Sequence, residues 1–158
     1  METVTKEDLF HDYKLICKMK VSIARKARMI SELFAESPNP WCVTGVTIDA
    51  LNVFKNADFK KKSKMGINRS HLVDRNSVYK LMFTEEFYDS ELWWDYYIKN
   101  DKTILSTSSE NMSKTFSRVI AIDETLGLFK NSGFAWKHGK NEKTFLQKLY
   151  KDVIDANI

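Results

Sequence analysis

The sequence predicts an α+β domain with a long N-terminal amphipathic helix, a small antiparallel sheet, an aromatic-rich helix and a C-terminal helix. Three observations carry that expectation. Apolar residues recur at helical spacing from Leu9 to Phe34, three short β-branched runs lie further along, and glycine and proline number only five and two in 158 residues. Scarce glycine and proline favour long regular elements over loops. Helical and strand-like periods in one chain of this length point to helices packed on a small sheet. No repeat is visible, nor any linker long enough to split domains, so residues 1–158 read as a single domain. A chain this long buries roughly 70% of its unfolded surface and builds a core without disulfides or metals.

Thr5, Lys6, Glu7 and Asp8 form a helix start, with Thr5 as N-cap and Asp8 at the capping-box position. Glu7, Asp8 and Asp12 then lie near the positive end of the helix dipole. Leu9, Tyr13, Ile16, Ile23, Ala27, Ile30 and Phe34 make one stripe, interrupted at Lys20. Ser37, Pro38, Asn39 and Pro40 end it, because proline disfavours helical backbone in the residue before it. Residues 41–48 are short and β-branched and read as a strand. Asp49 caps a second helix through Phe54 or Phe59. Residues 60–66 read as a basic loop. Asn76 and Ser77 cap a short helix over 78–83, and Asp89 or Ser90 caps the aromatic helix, which ends near Asn100. Residues 102–107 and 116–122 read as strands joined by a Ser/Asn-rich turn. Asp123 or Thr125 caps a short helix to Lys130, stopped by Asn131, Ser132 and Gly133. The final helix spans 143–154, with Phe145, Leu149 and Val153 beside Leu146, Tyr150 and Ile154 on its apolar side.

The aromatic helix is the first candidate binding surface. Trp93, Trp94, Tyr96 and Tyr97 fall within five positions. At 100° per residue, their arc with Leu92 and Ile98 spans about 240°, which leaves Glu91, Asp95 and Lys99 as the polar stripe. A helix facing one core needs an apolar stripe only slightly wider than about 100°. The excess must be covered by a second layer of the same domain, by another copy or by a partner. Trp and Tyr are the residue types that dominate binding hot spots.

Charge is the second signal. Residues 14–75 hold thirteen Lys and Arg against five acids, whereas the whole chain carries only +4. Lys14, Lys18, Arg25 and Arg28 share a face of the first helix. Lys55, Lys60, Lys61, Lys62, Lys64, Arg69 and Arg75 are added in and around the loop that follows the second helix. Such a patch could neutralise phosphates or guide the protein onto an acidic protein surface. Glu85, Glu86, Asp89, Glu91, Asp95 and Asp101 form an acidic counterpart around the aromatic helix, so a homodimer or head-to-tail association through the two patches is open.

The two cysteines, Cys17 and Cys42, lack a metal-type spacing and point to reduced thiols in a cytoplasmic protein. His11, His71 and His138 are scattered, so no metal and no cofactor is expected. No apolar run approaches the ~20 residues of a membrane span, and the N-terminus is acidic where a signal peptide is basic. The residue mix, rich in Lys, Asn, Phe and Tyr, resembles that of the small accessory proteins of AT-rich tailed phages. The resemblance is of composition and covers no motif, so no residue role is carried over from it.

Catalytic signals are weak. Between Gly133 and Gly139 lie five residues where a phosphate loop has four, and Asn141 stands where that loop needs Ser or Thr. His71, Asp74 and Arg75 would share a helical face, as a base, its orienting acid and an anion clamp. A polar turn is the simpler reading of that segment. The expected function is therefore a non-enzymatic small regulator or inhibitor, of the kind phages use in host takeover. It would occlude a host protein such as a protease, nuclease or transcription factor. Trp93, Trp94, Tyr96 and Tyr97 are its anchors, and Lys60, Lys61, Lys62 and Lys64 its basic patch. The alternative is a basic nucleic-acid-binding accessory protein in which those lysines contact phosphates and Trp136 stacks on a base.

Overall fold

In the computed structural model, which describes residues 4–155, helix α1 (Lys6–Lys18) begins with the expected capping box. Thr5 accepts from the Asp8 N–H at 3.1 Å, and the Asp8 carboxylate accepts from the Thr5 N–H at 2.8 Å. Met1, Glu2 and Thr3, part of the acidic N-terminus, and residues 156–158 lie outside the described residues. The long first helix is in fact two. Helix α2 (Ile23–Ala35) starts afresh at Ser22, whose hydroxyl accepts from the Arg25 N–H at 3.2 Å. The break falls where the apolar stripe skips a turn. Met19 is exposed and so is Lys20, so nothing holds the helix against a core there.

Strand β1 (Val43–Thr47) runs directly into α3 (Ile48–Asn56), and Thr47 rather than Asp49 is the cap, accepting from the Ala50 N–H at 3.1 Å. After the basic loop comes an unanticipated strand, β2 (Ile67–His71). Helices α4 (Arg75–Thr84) and α5 (Ser90–Asn100) follow, capped by Asp74 and Asp89. Strand β3 (Thr103–Thr107) leads into α6 (Ser108–Ser113), which stands where a turn was expected. Strand β4 (Val119–Ala121), a 3-10 turn at Glu124–Leu126, the short strands β5 (Asn131–Ser132) and β6 (Ala135–Trp136), and α7 (Lys140–Val153) complete the chain.

The class is α+β, but the main sheet is mixed rather than antiparallel. Its order is β2-β3-β1-β4, with β1 parallel to β3 and antiparallel to β4. The two central strands are nearly continuous buried runs, as strands covered on both faces are. Gly45 permits the β1–β4 pairing. A Cβ at that position would stand 2.6 Å from Val119 Cγ1.

The described residues gather into two compact units, each visited more than once by the chain. One comprises the segment ending at Trp41 with His71–Lys102 and Asn131–Ala135. The other comprises Cys42–Ser70, Thr103–Lys130 and the segment from Trp136 onward. The first has a helical core in which Leu9, Tyr13, Ile30, Phe34, Tyr79, Met82, Trp93 and Tyr97 are buried. The second has a core of Val43, Val46, Leu51, Phe54, Leu105, Phe129 and Leu146 between the sheet, α3 and α7.

A buried carboxylate ties the second unit together. Glu110 is only 6% exposed. Its Oε2 accepts from Thr47 Oγ1 at 2.7 Å and the Thr107 N–H at 2.8 Å, and its Oε1 accepts from the Ser117 N–H at 2.8 Å and Ser117 Oγ at 2.7 Å. Burial pushes its proton affinity up. The N–H groups of Thr107 and Ser117 and the two hydroxyls outweigh that and hold its pKa at about 2, below the ordinary 4.5. Because the folded value is the lower one, its stabilisation is complete above pH 4.5 and is lost as the pH falls through about 2. Glu110→Gln, which turns a donor toward those donors, should destabilise the fold by about 3 kcal/mol in urea unfolding at pH 7. It should also remove this part of the acid-induced loss of stability.

Candidate functional site

Most of the aromatic arc of α5 is covered within its own unit. Trp93 and Tyr97 are fully buried. Tyr13 stacks on Trp93 at 5.0 Å between ring centroids, and Phe34 stacks on Tyr97 at 4.1 Å. Trp94 and Tyr96 are half-buried against the same core. Tyr96 stacks on Phe87 at 5.2 Å and donates its hydroxyl proton to the Val78 carbonyl at 3.1 Å. The second layer that the wide arc demanded is thus supplied by α1, α2 and α4. Of the arc, Leu92 alone is largely exposed, at 64%.

The two charge patches also meet within this unit. Lys6 Nζ donates to Glu91, and Lys14 Nζ donates to Glu86 and, at 2.9 Å, to the Phe87 carbonyl. The Lys14 ammonium also lies 4.1 Å from the Tyr88 ring centroid. Part of the acidic rim around α5 is therefore answered by lysines of α1.

The loop of the second unit is different. Lys61, Lys62 and Lys64 line a cavity of about 510 Å³ together with Met65, Gly66 and Trp136. Its local geometry follows from the sequence. Lys64 and Gly66 both take left-handed backbone, with φ of 61° and 75°. The Ser108 N–H donates to the Gly66 carbonyl at 2.8 Å, which fixes the loop to the start of α6. On the other wall, the Lys137 N–H donates to the Lys130 carbonyl at 2.6 Å, and His138 stacks on Phe54 at 5.5 Å. These contacts fix the chain on either side of Trp136.

Lys61 joins the two walls. Its Nζ lies 4.0 Å from the Trp136 ring centroid and donates to the Trp136 carbonyl at 3.3 Å. The Arg69 guanidinium lies 5.9 Å from the same ring. Burial, and then the Arg69 charge, lower the proton affinity of Lys61 below the usual lysine range. Lys60 reaches Asp58 at 3.8 Å, whereas no carboxylate of the described residues pairs with Lys61, Lys62 or Lys64. The indole Nε1 of Trp136 is buried without a hydrogen-bond partner. Lys61, Lys62 and Lys64 thus share the lining of one cavity with Trp136, and none of the three has a carboxylate partner among the described residues.

The remaining motifs make local structural contacts. His71 ends a strand rather than lying on a helix, and it packs edge-on to Trp41 at 6.2 Å. The Asp74 carboxylate accepts from the Ser77 N–H at 2.9 Å and the Ser77 hydroxyl at 2.7 Å as the cap of α4. In the segment resembling a phosphate loop, Glu142 accepts from the Gly139 N–H at 2.9 Å, which puts a carboxylate where a phosphate would sit. Among the described residues no group of three His, Cys, Asp or Glu could hold a metal ion, and no helix is long and apolar enough to cross a membrane.

Neighbouring residues on α5 should respond very differently to truncation. Trp93→Ala should destabilise the protein by about 3–5 kcal/mol in urea unfolding, by opening a cavity in the core. Leu92→Ala should stay within about 0.5 kcal/mol. No protein-family model, no curated protein and no solved structure matches this chain.

Proposed function

We propose that this protein is a non-enzymatic nucleic-acid-binding accessory protein that grips phosphates with the loop carrying Lys60, Lys61, Lys62 and Lys64. The observation that carries this reading is the convergence of Lys61, Lys62 and Lys64 with Trp136 on one cavity, without carboxylates to neutralise them. Phosphate contacts of this kind release counterions, so affinity must fall with salt. The burial of Trp93 and Tyr97 removes two of the four anchors on which occlusion of a protein partner would rest. A cytoplasmic setting goes with this reading, supported by two cysteines that form no disulfide.

A second reading keeps the regulator or inhibitor that acts on a host protein. Its specific support is that Trp94 and Tyr96 are only half-buried, and that Tyr88 (80% exposed) and Leu92 (64% exposed) are largely uncovered. A protein partner seated on Trp94 would lose about 2 kcal/mol of binding on Trp94→Ala.

The two readings separate in one experiment. Binding of a labelled single-stranded oligonucleotide is followed by fluorescence anisotropy over a salt series, for the wild type and for the quadruple Lys60→Ala, Lys61→Ala, Lys62→Ala, Lys64→Ala variant. The slope of log K against log salt should shrink by about 3 in the variant, at about 0.7 per lysine for a single strand. An unchanged slope and affinity would rule out the loop as the phosphate grip and leave the protein-binding reading.

A further inference from the structure

We propose that the loop cavity takes one unpaired nucleotide of a single strand, with its base against Trp136 where the Lys61 ammonium now sits and its phosphate held by Lys61, Lys62 and Lys64. This rests on the nucleic-acid reading and narrows it to a substrate class. Three observations lead to it.

The cavity holds about 510 Å³, within the range of about 300–1,000 Å³ typical of small-ligand pockets. That is room for one nucleotide and not for a duplex, which could only touch the rim. Trp136 is half-buried and lines the cavity, so the aromatic surface it offers lies inside a concave wall. A paired base cannot reach such a surface, whereas an unpaired one can, and every base has a π-face to stack.

Phosphate alone would engage the lysines but would leave the ring unused.

The ring is already occupied, but loosely. Lys61 lies on an exposed stretch of loop, and its ammonium sits 4.0 Å from the ring centroid. A cation–π contact of this partly solvated kind is weak. An entering base displaces the ammonium, and the flexible four-carbon stem carries the charge to the phosphate that arrives with the base. The exchange also relieves the crowding between Lys61 and Arg69. Gly66 leaves the floor open, since a Cβ there would have Ser108 Oγ, at 3.7 Å, as its nearest neighbour.

The experiment compares a labelled twelve-nucleotide oligothymidylate, a base-free sugar–phosphate strand of the same length, and a duplex of the same length, all at one salt concentration. The oligothymidylate should bind at least about tenfold more tightly than the base-free strand, as stacking of one base predicts. Trp136→Ala should abolish that difference while leaving affinity for the base-free strand within about twofold. Trp136→Phe, which keeps a π-face and serves as the control for folding, should retain most of it. Equal affinity for the oligothymidylate and the base-free strand, or a preference for the duplex, would overturn the base pocket and leave phosphate gripping intact. Binding to none of the three would overturn the nucleic-acid reading itself.

Discussion

The carboxylate of Glu110 is the constraint on which the second unit depends. One buried charge accepts from donors on the end of β1, on the start of α6 and on the segment leading to β4. A buried charge is costly unless its lone pairs are satisfied. The three segments therefore have to come together in one arrangement. The same capping box starts α6 at Ser108, and Ser108 is the residue that fixes Gly66 and the mouth of the basic loop. Sheet order, loop anchorage and cavity floor are thus linked through a single side chain.

The helical unit meets its polar requirements differently. The Tyr13 hydroxyl donates to the Met82 carbonyl at 2.6 Å and accepts from the Phe87 N–H at 2.9 Å, so an otherwise apolar ring stack also satisfies the backbone at the end of α4. Trp41 donates its indole proton to Tyr79 at 2.8 Å. The density of aromatic residues in this unit is then largely a packing solution. Large flat rings fill the space between short helices, and the Tyr13 hydroxyl finishes the end of α4.

Where a side chain caps a helix and an apolar stripe follows, the sequence was readable. Thr5 with Asp8, and Asp89 ahead of α5, were legible for that reason. Thr107-Ser108-Ser109-Glu110 carries the same capping-box signal and opens α6, but its serines and asparagine suggest a turn. The edge strand β2 has only Ile67 and Ser70 buried, so it shows neither alternation nor an apolar run. The parallel pairing of β1 with β3 depends on partners far apart in the chain, which no local pattern reports. The loop lysines and Trp136 could be named from sequence, because both are unusual locally. That they share a cavity follows from the fixing of Gly66 and of the residues flanking Trp136, which is tertiary.

Gly45 has a consequence for how this chain can change over time. Its missing side chain is what lets Val119 and β4 lie against β1. Surface lysines can be exchanged at little cost, and core residues can drift in compensating pairs. A Cβ there would meet Val119 Cγ1 at 2.6 Å and the Ile120 carbonyl at 3.1 Å, so a larger residue needs a trimmed or re-oriented side chain at position 119 together with a small give in β4. A descendant that loses this glycine and keeps the sheet therefore changes residue 119 with it, so the two positions drift as a pair.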